Sequence, residues 1–440
     1  MQQTNDSCCP QTEQTEQTEQ TQQTQQTQQT KRAPAKRAPS PLHVAVIFGA
    51  RPDAVKMAPV VYALKGDPGF RCTVCVTGQH REMLDQVLSV FKIIPDYDLN
   101  IMRHGQTLED ITTRVLNGMS GVLSNIDPAP CIALVHGDTT TCFAAALAAF
   151  YNRIPVGHVE AGLRTEDIYY PFPEEMNRRL TGVISSMHFA PTGLNRMNLL
   201  REGVRDADIF VTGNTALDAL KLTARSDYDF INTELNALDF GRYRIITVET
   251  HRRENLGKPL DEILRAIIYI LDAYPDMHVV FAIHLNPSVQ APVRSALSGR
   301  ERVLLMDPLC LTDYHNLVAR SFLALSDSGG IQEEAPSLGT PVLVLRGETE
   351  RHEAVDAGTV RLVGTEFDRI VGAVRDLADN PSAYDAMVSA KNPFGDGAAS
   401  ARILDAIHAR FGPGGNPGGA ANGEPVCNSD GNQASCGGNG

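Results

Sequence analysis

The 440-residue sequence contains no run of about eighteen apolar side chains, so no transmembrane helix is expected. Its first forty residues hold no apolar h-region, which argues against a secretory signal and for a cytoplasmic protein. No G-x-G-x-x-G stands between a strand and a helix, so a nicotinamide cofactor has no support and no cofactor is expected. His158-Val-Glu160 has the H-x-E form found in zinc enzymes, but no third ligand cluster accompanies it, and no metal is expected.

Positive charge is also in short supply. Lys and Arg number 39 against 52 Asp and Glu, for a net charge of −13. Four acids and four bases cancel within residues 1–41, and only Glu424 and Asp430 follow Phe411, so the folded part carries most of the excess. Such a body repels nucleic acid and must bind any acidic ligand through a local basic pocket. The nine cysteines do not make a disulfide framework. Cys8, Cys9, Cys427 and Cys436 lie near the ends. Cys72 and Cys75 sit in the strand-like "FRCTVCVTG", where residues three apart face opposite ways, so reduced, structural thiols are expected.

What is present is an α/β pattern. "QTEQTEQTEQTQQTQQTQQT", the following "KRAPAKRAPS" and the glycine-rich end offer no apolar surface, so residues 1–41 and 412–440 are expected to be disordered. Between them, short apolar runs alternate with helix-length segments: "LHVAVIFGA", "RCTVCVTG", "CIALVHGD", "IPVGHVE", "MHFAPT" and "IFVTGN". The pattern restarts with "YRIITVETH", "HVVFAIH", "RVLLMDP", "FLALSDSG" and "TPVLVLR". Continuous apolar strands between helices indicate parallel sheets covered on both faces. The spacing predicts two Rossmann-like doubly wound domains, 42–213 and 214–395, with a terminal helix in 396–411 packing back on the first. Ligands of such sheets sit at the carboxyl ends of the strands.

Two runs end abruptly in acid, at Asp138 and Glu160. Either residue could be a helix cap or loop acid, and Asp138 precedes "TTT" and an alanine-rich helix. Position alone does not separate capping from catalysis. "FGARPDAVKMAP" places Gly49, Arg51 and Lys56 where a helix N-terminus favours anions. "SDSGGIQEEAPS" places Ser328, Gly329 and Gly330 where backbone N–H groups can meet a diphosphate, with Glu334 one turn on to accept from ribose hydroxyls; Arg346 and Arg351 are nearby cations. "TVETHRREN" ends a strand in His251 with basic neighbours, which suits a diphosphate.

Taken together, "GARPDAVKMAPVV", "TGQHREMLDQVL", "HGDTTT", "HVEAGLRT", "PFPEEMNR", "THRREN", "HLNP" and "SDSGGIQEEAPSLGTPVLVLR" resemble the non-hydrolysing UDP-N-acetylglucosamine 2-epimerases of bacteria, in order, from Val44 to Phe411. That resemblance implies a GT-B-like fold with the sugar nucleotide between two domains, and a homodimer. It implies Asp138, Glu160 and Glu174 as catalytic carboxylates and His251 as the catalytic-site histidine. It implies Arg51, Lys56, Ser328, Gly329, Gly330, Glu334 and Arg351 as substrate-binding residues. "DPLCLTDY" falls where relatives hold uracil; Leu309 replaces a polar residue there, leaving Tyr314 to stack on the base. "TGQHRE" resembles the loop beside a second, activating UDP-GlcNAc site, with Gln79 and Glu82 as contacts.

The implied chemistry accounts for the carboxylates. The C2 hydrogen of an N-acetylhexosamine has no neighbouring carbonyl, so enolate formation is closed. Elimination of UDP to 2-acetamidoglucal and re-addition requires acid/base groups on both faces of the ring. Competing readings are a hydrolysing epimerase, a GT-B glycosyltransferase and a silent sugar-nucleotide sensor.

Overall fold

The computed structural model describes residues 40–165 and 167–414. The expectation of disorder for the two ends, and four of the cysteines, concern residues outside that range. The first sheet is built from β1 (Leu42–Phe48), β2 (Phe70–Val76), β3 (Tyr97–Asp98), β4 (Ile132–His136), β5 (Val156–Val159), β6 (Met187–Ala190) and β7 (Ile209–Val211). The second comprises β8 (Arg244–Glu249), β9 (Met277–Ala282), β10 (Val303–Met306), β11 (Leu323–Ser326), β12 (Val342–Val344) and β13 (Val360–Leu362). The strand orders are β3-β2-β1-β4-β5-β6-β7 and β10-β9-β8-β11-β12-β13, with parallel pairing throughout.

Strand β1 shows why the runs are apolar without alternation. Val44, Val46 and Phe48 join a cluster with the helix Arg51–Gly66, whereas Ala45 and Ile47 join one with the helices Leu108–Asn125 and Thr140–Tyr151. Both faces are covered, so both sets must be apolar. Cys72 and Cys75 of β2 divide in the same way between the two clusters. Burial pushes both thiols up to about 12. The helix Ala399–Phe411 places Ile403, Leu404, Ala406 and Ile407 in the first sheet's cluster. Among the described residues, no helix is long and apolar enough to cross a membrane.

The order of each sheet reverses once, between β1 and β4 in the first and between β8 and β11 in the second. At such a reversal the connections leave to opposite sides and open a crevice at the strand ends. Four loops flank the two crevices: those after β1, β4, β8 and β11. They carry Gly49–Arg51, Gly137–Asp138, Thr250–Arg252 and Asp327–Gly329.

Candidate active site

The loop after β1 closes on itself. The N–H groups of Gly49 and Ala50 both donate to the Asp53 carboxylate at 2.9 Å. Ala50 has no capping side chain, so the acid at the helix's third position folds back and occupies both N–H groups. Asp53 is 2% exposed, and its burial, only partly offset by those N–H groups, raises its pKa to about 6. Gly49 is sterically required, because a Cβ there would lie 1.9 Å from Thr77 Oγ1.

After β4, Thr139 caps the next helix, its hydroxyl accepting from Cys142 N at 3.2 Å. Asp138 is therefore free of that duty. Its Oδ2 instead accepts from Arg178 Nη2 at 2.7 Å and Nε at 3.0 Å. After β5, Glu160 adopts a left-handed φ of 65°. A non-glycine residue held there costs on the order of 1 kcal/mol, and such outliers gather at functional sites. Lys56 donates to Glu160 Oε2, Asn214 Nδ2 donates to the same oxygen at 3.2 Å, and His136 Nε2 lies 3.6 Å from it. Burial alone would raise the Glu160 pKa, but Lys56 and His136 outweigh it and hold the carboxyl well below its usual range. Lys56 is raised in turn, since Glu160 and Glu333 overcome its own burial.

In the second half, Asp327 is fully buried and organises the loop after β8. It accepts from Thr250 Oγ1 at 2.6 Å, Asn255 Nδ2 at 2.8 Å, and the N–H groups of His251 and Arg252 at 3.1 and 3.0 Å. The His251 ring has Nδ1 3.2 Å from Asp327 Oδ1 and stacks on His284 with centroids 5.9 Å apart. The Arg351 guanidinium lies over Gly329, where a Cβ would meet Cζ at 2.9 Å. Arg351 Nε donates to Glu333 Oε1 at 3.0 Å, and Glu333 Oε2 accepts from Asn214 Nδ2 at 3.0 Å and faces Lys56 Nζ at 3.6 Å. Lys56, Glu160, Asn214, Glu333 and Arg351 thus form one chain of contacts joining the two sheets.

The family model described as UDP-N-acetylglucosamine 2-epimerase matches residues 62–408. Over 373 residues the chain is 52% identical to the UDP-N-acetylglucosamine 2-epimerase of Escherichia coli (strain K12), covering 83% of this chain and 98% of that one. The chain belongs to the UDP-N-acetylglucosamine 2-epimerase family. Its structure is similar to the UDP-GlcNAc 2-epimerase from Neisseria meningitidis bound to UDP-GlcNAc, with TM-score 0.74, 46% identity, and coverage of 83% of this chain and 99% of that one. For the Methanocaldococcus jannaschii UDP-GlcNAc 2-epimerase in complex with UDP-GlcNAc and UDP, the TM-score is 0.67 at 32% identity, covering 83% and 99%.

The residues expected to serve an epimerase fall into distinct settings. Lys56, Glu160 and Arg351 meet in the bridging cluster. Asp138 pairs with Arg178, which also binds the fully buried Glu175 at 3.0 Å. Glu174, the neighbour of Glu175, is partly exposed at the helix start and makes no hydrogen bond or ion pair among the described residues. Arg51 likewise has no such partner among them. Glu334 Oε2 lies 3.4 Å from His315 Nε2. The Tyr314 hydroxyl donates to Glu249 at 2.6 Å, and burial together with Glu249 pushes its pKa well above the ordinary phenol value. Arg346 is consumed by Glu254 and Glu350, each at 2.9 Å. His158, of the H-x-E pair, has Nε2 2.7 Å from Gly137 O, and burial lowers its pKa to about 3. Gln79 is buried, with Oε1 accepting from Thr141 Oγ1 at 2.8 Å, whereas Glu82 is exposed. A cavity of about 680 Å³ opens beside Leu309, bordered by Arg294, Asp307 and Asp313, and shares no residue with the bridging cluster.

Sequence reasoning missed His136, Asn214, Glu333 and Asp327. Each has a faint signal: a polar residue at or just beyond a strand end, or, for Glu333, its place beside Glu334 in the doubled "EE".

Proposed function

We propose that the protein interconverts UDP-N-acetylglucosamine and UDP-N-acetylmannosamine without net hydrolysis. A carboxylate removes the C2 proton, the C–H electrons form the C1=C2 bond, and the C1–O bond breaks so that UDP departs with its pair. A second acid group returns a proton to the opposite face of C2 while a phosphate oxygen of UDP re-forms the bond to C1. Asp138, Glu160 and Glu174 supply the acid/base groups from three separate segments, and His251, oriented by Asp327, serves the departing diphosphate.

The observation that carries the reading is the bridging cluster, where Lys56 and Arg351 are bound to Glu160 and Glu333 at the meeting of the two halves. A diphosphate arriving there competes with both carboxylates for those cations. Glu160 then recovers proton affinity as the leaving group becomes stabilised, which matches a base to the moment of its use. Residues 42–213 and 214–395 act on this reading as two domains closing on the substrate, with Arg51, Tyr314, Ser328, Gly329, Gly330 and Glu334 as further contacts. Gln79 and Glu82 mark a second UDP-GlcNAc site that activates the enzyme. The working unit is a homodimer in the cytoplasm, and its product serves polysaccharide synthesis.

The test is incubation with UDP-GlcNAc alone in deuterated water. UDP-ManNAc carrying deuterium at C2 is expected, since that bond is otherwise inert. Epimerised product without deuterium removes the elimination route, UDP with free sugar indicates the hydrolysing reaction, and no turnover without an acceptor indicates a transferase. Replacing Glu160 by Gln is expected to lower turnover by ~10²–10⁴-fold while UDP binding is retained or tightened, since one competitor for Lys56 is gone.

A further inference from the structure

Asn214 stands where the chain leaves the first sheet for the second. Gly213, just before it, has φ +91°, and a Cβ there would lie 3.2 Å from Phe394 O. Asn214 N donates to Phe394 O at 2.7 Å, so the two connections between the halves, near residues 213 and 394, cross at this point. The side chain is 3% exposed. Its Oδ1 caps the helix Thr215–Thr223, accepting from Ala216 N at 2.9 Å. That bond settles the orientation of the amide, because the oxygen end must face Ala216 and the NH₂ end must face the opposite way. There it meets two carboxylates, Glu160 of the first half at 3.2 Å and Glu333 of the second at 3.0 Å.

All the donors around Glu160 converge on one oxygen. Lys56 and Asn214 donate to Oε2, and His136 Nε2 is 3.6 Å from that same atom. The other oxygen, Oε1, is directed past Gly137, where an added Cβ would be 3.8 Å away. Lys56 is the partner that an anionic ligand draws off. Asn214 is neutral, fixed by a helix cap and anchored to the crossing of the chain, so nothing in the arriving diphosphate displaces it.

We infer that Asn214 is a positioning residue that holds Glu160 by Oε2, so that Oε1 is presented to the sugar whenever the two halves are closed. The inference rests on the proposed role of Glu160 in proton transfer. Because Asn214 sits at the chain crossing and touches a carboxylate from each half, closure and the aim of Glu160 become a single event. Misplacing a reacting group by about 1 Å is enough to cost ~10² in rate.

Two replacements isolate this role. Asn214→Ser retains a good helix cap but removes both amide donors, and Asn214→Asp retains the cap while setting a third carboxylate against Glu160 and Glu333. Asn214→Ser is expected to lower kcat by ~10²-fold, with KM for UDP-GlcNAc and the Tm nearly unchanged. Asn214→Asp is expected to lower kcat and to move the acid limb of the kcat–pH profile to higher pH. The titratable and charged groups facing Glu160 in that variant are Lys56, His136, Glu333 and Arg351, and only the new carboxylate differs. In the E160Q background, Asn214→Ser is expected to cost little further, since both act through one group. If E160Q is impaired and Asn214→Ser turns over at the full rate, the inference about Asn214 is overturned while the proposed function stands. A lower Tm and kcat together with a higher KM for Asn214→Ser reduces Asn214 to a helix cap and also overturns it. E160Q at the wild-type rate removes the role of Glu160 itself, and with it the inference.

Discussion

Asp138 and Thr139 are adjacent, polar and at the start of the same helix, yet they have separable duties. The Thr139 hydroxyl holds Cys142 N, whereas Asp138 holds Arg178 and leaves the helix uncapped by its own side chain. Replacing Thr139 by Ala is therefore expected to lower stability by ~0.5–2 kcal/mol with turnover largely preserved. Replacing Asp138 by Asn is expected to do the reverse, lowering kcat with a small change in stability. Urea midpoints and initial velocities on the two variants check this, and a Thr139 variant as slow as the Asp138 variant contradicts it. Two neighbouring pairs pose the same ambiguity. Glu174 and Glu175, like Glu333 and Glu334, are chemically equivalent in the sequence. Consecutive helix residues point about 100° apart, so which member enters the interior depends on the phase at which the helix packs. In both pairs one member, Glu175 or Glu333, is the more deeply buried.

The elements themselves were more legible than the residues within them. Eleven strands were readable because their apolar runs are covered on both faces, which leaves a signal that survives without any alignment. The two not anticipated, β3 and β13, are edge strands of two and three residues, and β3 is exposed at both positions. β3 buries neither residue and β13 offers only Val360 and Leu362 as apolar positions, so composition does not mark a run. The terminal helix Ala399–Phe411 gives the element-scale prediction. Ile403 and Ile407 are fully buried four residues apart, on one face of the helix, in the first sheet's cluster. Ile407→Ala is expected to destabilise the protein by about 2–5 kcal/mol, with the Kd for UDP nearly unchanged when measured well below the melting temperature. An unchanged Tm contradicts the packing.

At the scale of the molecule, buried titratable groups set the acid limit. His158 and His188 lie opposite each other on β5 and β6, and burial lowers their pKa values to about 3 and about 4. In the unfolded chain both return to about 6.5, so below that pH the unfolded state binds more protons and stability falls as pH falls. Glu160, held ionised by Lys56 and His136, adds a loss at lower pH as it is forced to protonate. Asp53 works the other way, since its folded pKa is raised to about 6 and acid relieves its burial. Between pH 7 and 4.5 this one opposing group does not offset the two histidines. The Tm is expected to fall steadily from pH 7 to pH 4.5, and His188→Asn is expected to flatten that slope. A Tm constant over the range contradicts the linkage.

The sequence by itself determined the α/β class, the two successive wound patterns and the family, because these depend on local apolar runs and on short motifs carried within single loops. It also carried most of the candidate site residues, since strand ends are recognisable and ligands of such sheets gather there. Only the tertiary structure decided what those residues do to one another. Lys56, Glu160, Asn214, Glu333 and Arg351 are spread over nearly three hundred positions and become neighbours only where two sheets meet. Their charges are set by that meeting: a carboxylate held ionised, a lysine given to it, and an amide whose direction follows from a helix cap. Electrostatic coupling falls with distance through space and not along the chain, so no reading of spacing could have assigned those partners.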